Sequence, residues 1–258
     1  MKIKIKDIIN WKVFFILLAM CLISTVLVLP YSLALASNGV SFSLNTLLLS
    51  LALNLVQFAI AVFLGLYFSK RSGLGLPILQ GALEGKNVSK ELKAILPISI
   101  ALGVFAGVLI VLLSIPFDKL IPELQDAEIS IPAWKALLAS FYGGIGEEVL
   151  LRLFLVSLLV WLCSIIKKTE DGRPADFWFW LSIILASIVF GLGHLPATSQ
   201  IIPLNAAVVT RAIVLNGVAG IVFGWLYWKK GLESAMIAHF SADIVLHVIT
   251  PFAASLFA

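Results

Sequence analysis

Seven stretches of mostly apolar residues dominate this chain, each close to or above the roughly 20 residues that a helix needs to cross a bilayer. They lie near residues 13–35, 47–68, 94–116, 134–166, 177–195, 206–228 and 232–254. The chain is 61% hydrophobic and 12% charged, whereas about a quarter of the residues of a soluble domain are charged. A water-soluble globule of this composition would expose large apolar patches. The sequence therefore predicts an all-α, polytopic transmembrane bundle of about seven spans.

The distribution of basic residues predicts how the spans are oriented. Lys and Arg are concentrated before the first run and in every second connector after it, while the other connectors are uncharged or acidic. Because cytoplasmic connectors carry the excess of Lys and Arg, this alternation predicts a cytoplasmic N-terminus. The segment Ala34-Leu35-Ala36 resembles a signal-peptidase site. The apolar run before it is longer than the 7–15 residues of a signal-peptide core, so we interpret it as an uncleaved first span.

Composition and charge also exclude several classes of function. The formal net charge is +4, but the basic residues lie at segment ends rather than along one face, so nucleic acid is not an expected partner. Cys21 and Cys163 lie in apolar runs, and no disulfide framework is implied. The first three runs are nearly free of charge, whereas ionisable side chains concentrate after residue 134. This predicts supporting helices and a cytoplasmic connector over 1–133 and a catalytic helical core over 134–258.

Two adjacent glutamates and an arginine interrupt the fourth apolar run. Glu148 and Arg152 are four residues apart, which on a helix is the favourable order for an ion pair. Glu147 is five residues from Arg152, about 140° around an α-helix, so this carboxylate has no partner nearby on its own helix. An ionisable group in hydrocarbon costs about 2.5–3.5 kcal/mol on insertion scales. Glu147 is therefore the candidate general base, while a purely structural ion pair remains the alternative for the other two residues.

All three histidines lie in the second half of the chain. His194 ends the fifth run, and His239, Asp243 and His247 share one stripe of the seventh. A carboxylate one turn from an imidazole can fix its tautomer and leave the second ring nitrogen free. We therefore predict that Asp243 orients His239, with a structural His–Asp pair as the alternative. His247 lies nearer the outer end and is left out of the predicted site, and Arg211 is a further ionisable residue in the sixth run.

Three motifs in this order resemble those of a known family. They are Glu147-Glu148-x-x-x-Arg152, Phe190-x-x-x-His194 and His239-x-x-x-Asp243. The pattern resembles the CPBP family, the CAAX-processing and bacteriocin-processing intramembrane proteases also called Abi or Rce1-like proteins, over residues 134–250. The resemblance implies a glutamate-dependent endopeptidase built of transmembrane helices. In such an enzyme Glu147 and His194 would activate water, and Glu148 and Arg152 would brace the site.

The resemblance also implies that His239 and the residue at position 243 stabilise the oxyanion. CAAX-type enzymes have Asn at this position, whereas this chain has Asp243, as many bacterial relatives do. An ionised aspartate has no proton to donate. The resemblance therefore leaves the donation to His239 and its orientation to Asp243.

Zinc is the alternative to a metal-free mechanism. Glu147, His194 and His239 could bind the ion with water in a fourth position, and Glu147 would then be a ligand rather than a base. The motif H-E-x-x-H, which presets two ligands on one helix, is absent. The resemblance favours the metal-free mechanism, so no cofactor is expected.

These observations predict an intramembrane endopeptidase that hydrolyses a peptide bond of a membrane-associated peptide or protein, with the lipid bilayer as its other partner. Two alternatives remain. One is a proton-coupled transporter in which Glu147, His194 and His239 form a relay, although no paired repeat or broken helix is visible. The other is a non-catalytic membrane scaffold. Short connectors without targeting motifs favour a multi-pass protein of a prokaryotic plasma membrane.

Overall fold

The computed structural model describes residues 9–35, 43–126, 131–166, 169 and 172–255. These residues are mostly helical and contain no β-strand, and seven of their helices are long and apolar enough to cross a membrane. We name them spans 1 to 7: Trp11–Leu35, Leu44–Ser72, Ser89–Leu120, Ala133–Ile166, Asp176–Thr198, Ala206–Lys230 and Leu232–Ala254. Short helices at Pro77–Leu83 and Glu123–Asp126 lie in connectors. The predicted all-α bundle of seven spans is confirmed, and each predicted run lies within one span.

The spans end where polar side chains or glycine satisfy free backbone groups. The Ser43 hydroxyl accepts a hydrogen bond from the Thr46 backbone N–H (3.1 Å) at the start of span 2. The Asn205 side chain does the same for Val208 (2.9 Å) at the start of span 6. Gly73 ends span 2 in the left-handed conformation, with φ of 73°. Between such ends the helices satisfy their own backbone groups, as a lipid environment requires.

Span 6 has a central position in the bundle. It packs against spans 3, 5 and 7, while span 4 packs against spans 1 and 2. The buried core is continuous across these contacts and includes Phe58, Leu153 and Phe223. Spans 3 and 7 approach each other closely at Gly103, where an added Cβ would clash with the backbone carbonyl of Ala238. Small residues therefore allow these two backbones to pack directly against each other.

Spans 4 and 7 are not regular α-helices. The segments Tyr142–Glu147 and Val149–Val156 in span 4 and Ile244–Ile249 in span 7 are π-helical. Such segments are rare, and they are frequent at functional sites. The angle of about 140° between Glu147 and Arg152 assumed a regular α-helix with 3.6 residues per turn. That angle does not describe span 4, because widened turns include both residues.

Two basic connectors meet at one end of the bundle. The backbone N–H of Leu79 donates to Glu233 Oε1 (2.8 Å), and that of Leu232 donates to the Gly75 carbonyl (3.0 Å). These bonds join the connector after span 2 to the start of span 7, next to Lys229 and Lys230. The predicted orientation also depends on residues 2–6 and 167–168, which lie outside the described residues. The cytoplasmic N-terminus and the division at residue 133 therefore stay predictions.

Candidate active site

A cavity of about 770 Å³ lies among six of the seven spans, and residues of spans 1 and 3 to 7 line it. Four of the six predicted site residues are in its wall: Glu147, His194, His239 and Asp243. The other two, Glu148 and Arg152, are 0% and 2% exposed and contact each other in the adjoining core. Ionisable side chains from spans 4, 5 and 7 therefore meet around one shared space.

Glu148 is the centre of a buried hydrogen-bond network. Its Oε1 atom accepts from Arg152 Nη1 at 2.8 Å and from His239 Nδ1 at 2.7 Å. Arg152 also donates through Nη2 to the Gly220 carbonyl in span 6 (3.2 Å). The predicted ion pair between Glu148 and Arg152 is thus present, and it joins spans 4, 6 and 7. Because His239 donates a hydrogen bond from Nδ1 to this carboxylate, its second ring nitrogen, Nε2, is left for the cavity.

Asp243 does not hold the His239 ring in the way the sequence predicted. Its Oδ1 atom is 3.6 Å from His239 Nε2, beyond hydrogen-bonding distance, while Nδ1 is bound by Glu148. Glu147 Oε2 is 3.7 Å from the same Nε2 atom. The orienting carboxylate therefore comes from another helix, 91 residues away in sequence. His239 Nε2 instead faces the carboxylates of Glu147 and Asp243.

The tautomer of His194 follows from its hydrogen bond. Its Nδ1 atom lies 2.8 Å from the Phe190 carbonyl, one turn earlier in span 5. Because a carbonyl oxygen only accepts, Nδ1 carries the proton, and in the neutral ring Nε2 carries the lone pair. The Phe190 ring lies edge-on to the rings of His194 (4.8 Å) and His239 (5.6 Å). His194 therefore has a fixed ring and a basic nitrogen that is free of this bond.

Aromatic rings enclose the charged network. The Phe223 ring stacks on the His239 ring, with centroids 4.6 Å apart and an angle of 23° between the planes. The Arg152 guanidinium lies 5.0 Å from the Phe190 centroid and 5.3 Å from that of Phe223. Such cation–π contacts stabilise a desolvated cation. Phe190 and Phe223 thus keep water from the ion pair, while Glu147 remains 25% exposed.

The cavity wall also contains polar residues outside the predicted site, including His247, Tyr31, Arg211 and Asn216. His247 was not part of the predicted site. Its spacing of four residues from Asp243 puts both side chains on the same face of a helix, and this spacing could have indicated that His247 belongs to the site. The His247 and Tyr31 rings lie edge to face, with centroids 6.4 Å apart. A single tyrosine in the apolar first run gives no such signal, because only the packing of span 1 against span 4 brings it to the cavity.

The alternative with zinc bound by Glu147, His194 and His239 requires these side chains to lie close together. Within the part of the chain that the structure describes, no three His, Cys, Asp or Glu side chains lie close enough together to hold a metal ion. We therefore derive no step of the reaction through a metal.

Comparison with known proteins gives one match, in the second half of the chain. Residues 129–245 match the family model described as type II CAAX prenyl endopeptidase Rce1-like. The matched range contains all six predicted site residues. No curated protein and no solved structure matched the chain.

Proposed function

We propose that this multi-pass membrane protein hydrolyses a peptide bond of a membrane-associated substrate with water activated by Glu147 and His194, because residues 129–245 match the Rce1-like family model. The meeting of Glu147, His194 and His239 around one cavity carries this proposal. The family match supports a protease. The choice of a glutamate base, the peptide substrate and a prokaryotic plasma membrane are the parts that we propose.

In the first step, water lies between Glu147 and His194. The Glu147 carboxylate accepts one proton of this water as its oxygen attacks the carbonyl carbon of the scissile bond. His194 Nε2 accepts a hydrogen bond from the other O–H and orients the water, because its Nδ1 proton is bound to the Phe190 carbonyl. The exposed fraction of the Glu147 side chain, 25%, allows the water to reach it.

The negative charge that develops on the substrate oxygen is stabilised by His239. With Nδ1 held by Glu148, a doubly protonated His239 donates from Nε2 to this oxygen. The carboxylate of Asp243, 3.6 Å from Nε2, balances the positive charge of the ring. When the carbon–nitrogen bond breaks, the proton held by Glu147 passes to the leaving amine. The products are a peptide with a new carboxyl end and one with a new amino end, and the side chains return to their starting states.

A peptidase assay tests this function directly. The purified protein in liposomes is incubated with a peptide library made from membrane proteins, and new termini are identified by mass spectrometry. We expect His194→Ala to lower the cleavage rate by about 10²-fold or more, the usual contribution of a positioned acid–base group. Equal cleavage by wild type and His194→Ala would contradict the proposal. Proton-coupled uptake without cleavage would instead indicate a transporter.

The metal-free mechanism predicts that chelation leaves the enzyme active. We expect no loss of cleavage after prolonged incubation with EDTA or 1,10-phenanthroline, and no stoichiometric zinc by elemental analysis. The physical reason is that, among the described residues, no three His, Cys, Asp or Glu side chains lie close enough together to hold the ion. Loss of cleavage that added Zn²⁺ restores would make Glu147 a ligand rather than a base.

Gly143 gives a more local test of the oxyanion site. A Cβ at this position would lie 3.1 Å from His239 Nε2 and would clash with Asp243 Oδ2. We expect Gly143→Ala to lower kcat by about 10-fold to 10²-fold, because a shift of about 1 Å in a catalytic group costs that much. Gly217→Ala is the matched control, since nothing lies within 4 Å of its added Cβ. Equal kcat values for the two variants would count against a catalytic role of His239 Nε2.

A further inference from the structure

The cavity extends from the middle of the bundle to one of its ends. Its lining residues belong to the last parts of spans 1, 3 and 5, the first half of span 4, residues 211–223 of span 6 and residues 239–250 of span 7. Because successive spans run in opposite directions, the parts of these segments that lie outside the middle are at one and the same end. The connectors that follow spans 1, 3 and 5 begin at that end. No lining residue comes from the ends of spans 2, 4 and 6 that carry the basic connectors.

The two ends differ in charge. One end has basic residues in two places. The first comprises the end of span 2, the connector after it and the start of span 3, with Lys70, Arg71, Lys86, Lys90 and Lys93. The second is the end of span 6, with Lys229 and Lys230. Hydrogen bonds of Leu79 to Glu233 and of Leu232 to Gly75 hold these two places together at one end. The connector after span 2, residues 73–88, thus packs against the start of span 7, away from the cavity.

The end around the cavity is acidic or uncharged. Connectors 36–43 and 199–205 contain no charged residue, and connector 121–132 contains three acids and no base. Ile121, Ile202 and Val208 form a small buried cluster that joins the third and fifth connectors. Arg211 Nη2 lies 3.7 Å from Asp118 Oδ1 at the same end. The few basic residues there, such as Lys119 and Lys135, are outnumbered by the acids of the third connector and the end of span 3.

We propose that the cavity opens on the extracytoplasmic side of the membrane, and that the substrate is a peptide segment that reaches it from there. Cytoplasmic connectors carry the excess of Lys and Arg, so the basic end is cytoplasmic and the cavity end is not. That a substrate is cleaved in the cavity rests on the proposed function, whereas the side of the membrane on which the cavity opens does not. Four residues that are exposed in the structure line the cavity at this end and form its rim: Ser32, Pro196, Gln200 and His247.

This placement restricts the class of substrate. A cytoplasmic tail would meet the basic end, from which no residue contributes to the wall around Glu147. A suitable substrate instead presents an extended segment just outside the membrane, as an exported peptide or the outer juxtamembrane segment of a membrane protein does. The polar rim suits such a hydrated segment better than one buried among lipid chains.

Cysteine labelling tests the side of the cavity without any need for activity. In a background with Cys21→Ala and Cys163→Ala, single cysteines are introduced at the cavity rim (Gln200→Cys) and in the basic end (Lys90→Cys). Both positions are exposed in the structure. A membrane-impermeant maleimide is added to right-side-out vesicles before and after lysis. We expect Gln200→Cys to be labelled in intact vesicles and Lys90→Cys only after lysis, with the reverse in inverted vesicles.

Labelling of Lys90→Cys alone in intact right-side-out vesicles, or of both positions, would overturn the inference. The same vesicles, made from the native chain, then test the access of the substrate with a peptide that the protein cleaves. Cleavage in intact right-side-out vesicles supports the inference, and cleavage only after lysis overturns it. If the labelling is as expected but lysed vesicles cleave no peptide, the proposed function fails while the side of the cavity stands.

Discussion

Glu147→Gln is expected to lower kcat for peptide cleavage by about 10²-fold to 10⁴-fold, the usual contribution of general-base catalysis. The amide has nearly the same shape as the carboxylate but cannot accept the proton of the attacking water. Glu147 is partly exposed in the cavity wall, and its nearest described ion-pair partner, His239, lies 3.7 Å away. The variant should therefore keep its fold and its cavity while the reaction is lost.

A matched control separates catalysis from a general effect of charge. Glu91 lies exposed in the first turn of span 3, at the basic end of the bundle, and Glu91→Gln should leave kcat unchanged. Thermal unfolding of both variants in the same detergent should resemble that of the wild type. If Glu147→Gln cleaves peptide as fast as Glu91→Gln, the glutamate mechanism is wrong and the base must be sought elsewhere in the cavity.

The membrane architecture could be predicted from the sequence because a lipid environment imposes a simple rule. A helix must be long enough and apolar enough to cross the bilayer, and this is a local property of the chain. All seven predicted runs lie within observed spans, and the structure extends several of them by a few residues, as for Leu44–Ser72 and Ser89–Leu120. Such extensions reach into polar ends that a count of apolar residues does not include.

The spacing of residues along the sequence also predicts which side chains of one helix can contact each other. Glu148 and Arg152 are four residues apart and form the expected pair, with Nη1 and Oε1 2.8 Å apart. The same argument failed for His239 and Asp243, which are equally spaced but too far apart for a hydrogen bond. The difference is that His239 has a better acceptor, Glu148, on another helix. Spacing gives the possible partners on one helix, and packing between helices decides among all of them.

Two features could not be predicted from the sequence for a related reason: the widened turns of span 4 and the outer wall of the cavity. A π-helical segment changes which side chains share a face, and residues 142–156 contain no proline that would indicate an irregular helix. Tyr31 and Ser114 reach the cavity from spans whose apolar runs contain no Asp, Glu, Lys, Arg or His. Their place in the wall depends on tertiary packing, which one sequence does not specify.

Glu148 makes one buried contact within its own helix, to Arg152, and one to another helix, to His239. Both contacts matter for the stability of the bundle. Glu148 Oε1 accepts hydrogen bonds from both Arg152 and His239, while no described residue bonds to its Oε2 atom. The charge of Arg152 thus compensates a carboxylate that is 0% exposed. Glu148 in turn positions His239, so the same ion pair supports both the bundle and the proposed oxyanion site.

Arg152→Met is therefore expected to lower the free energy of unfolding by about 3–5 kcal/mol, the usual cost of leaving one half of a buried ion pair without its partner. Arg211→Met is the matched control: its guanidinium is 31% exposed and 3.7 Å from Asp118, so its loss should cost no more than about 1 kcal/mol. The measurement is reversible unfolding of each variant in mixed micelles. We attribute the expected loss of stability to the uncompensated charge of Glu148.

The double variant Glu148→Gln/Arg152→Met tests that cause. It removes the negative charge together with the positive one, while the Gln carbonyl can still accept from His239 Nδ1. We expect it to recover much of the stability that Arg152→Met loses, because neutral replacement of both members of a buried pair is often nearly without cost. No recovery would show that Arg152 stabilises the bundle through its bond to the Gly220 carbonyl and its packing on Phe190 and Phe223, rather than by balancing Glu148.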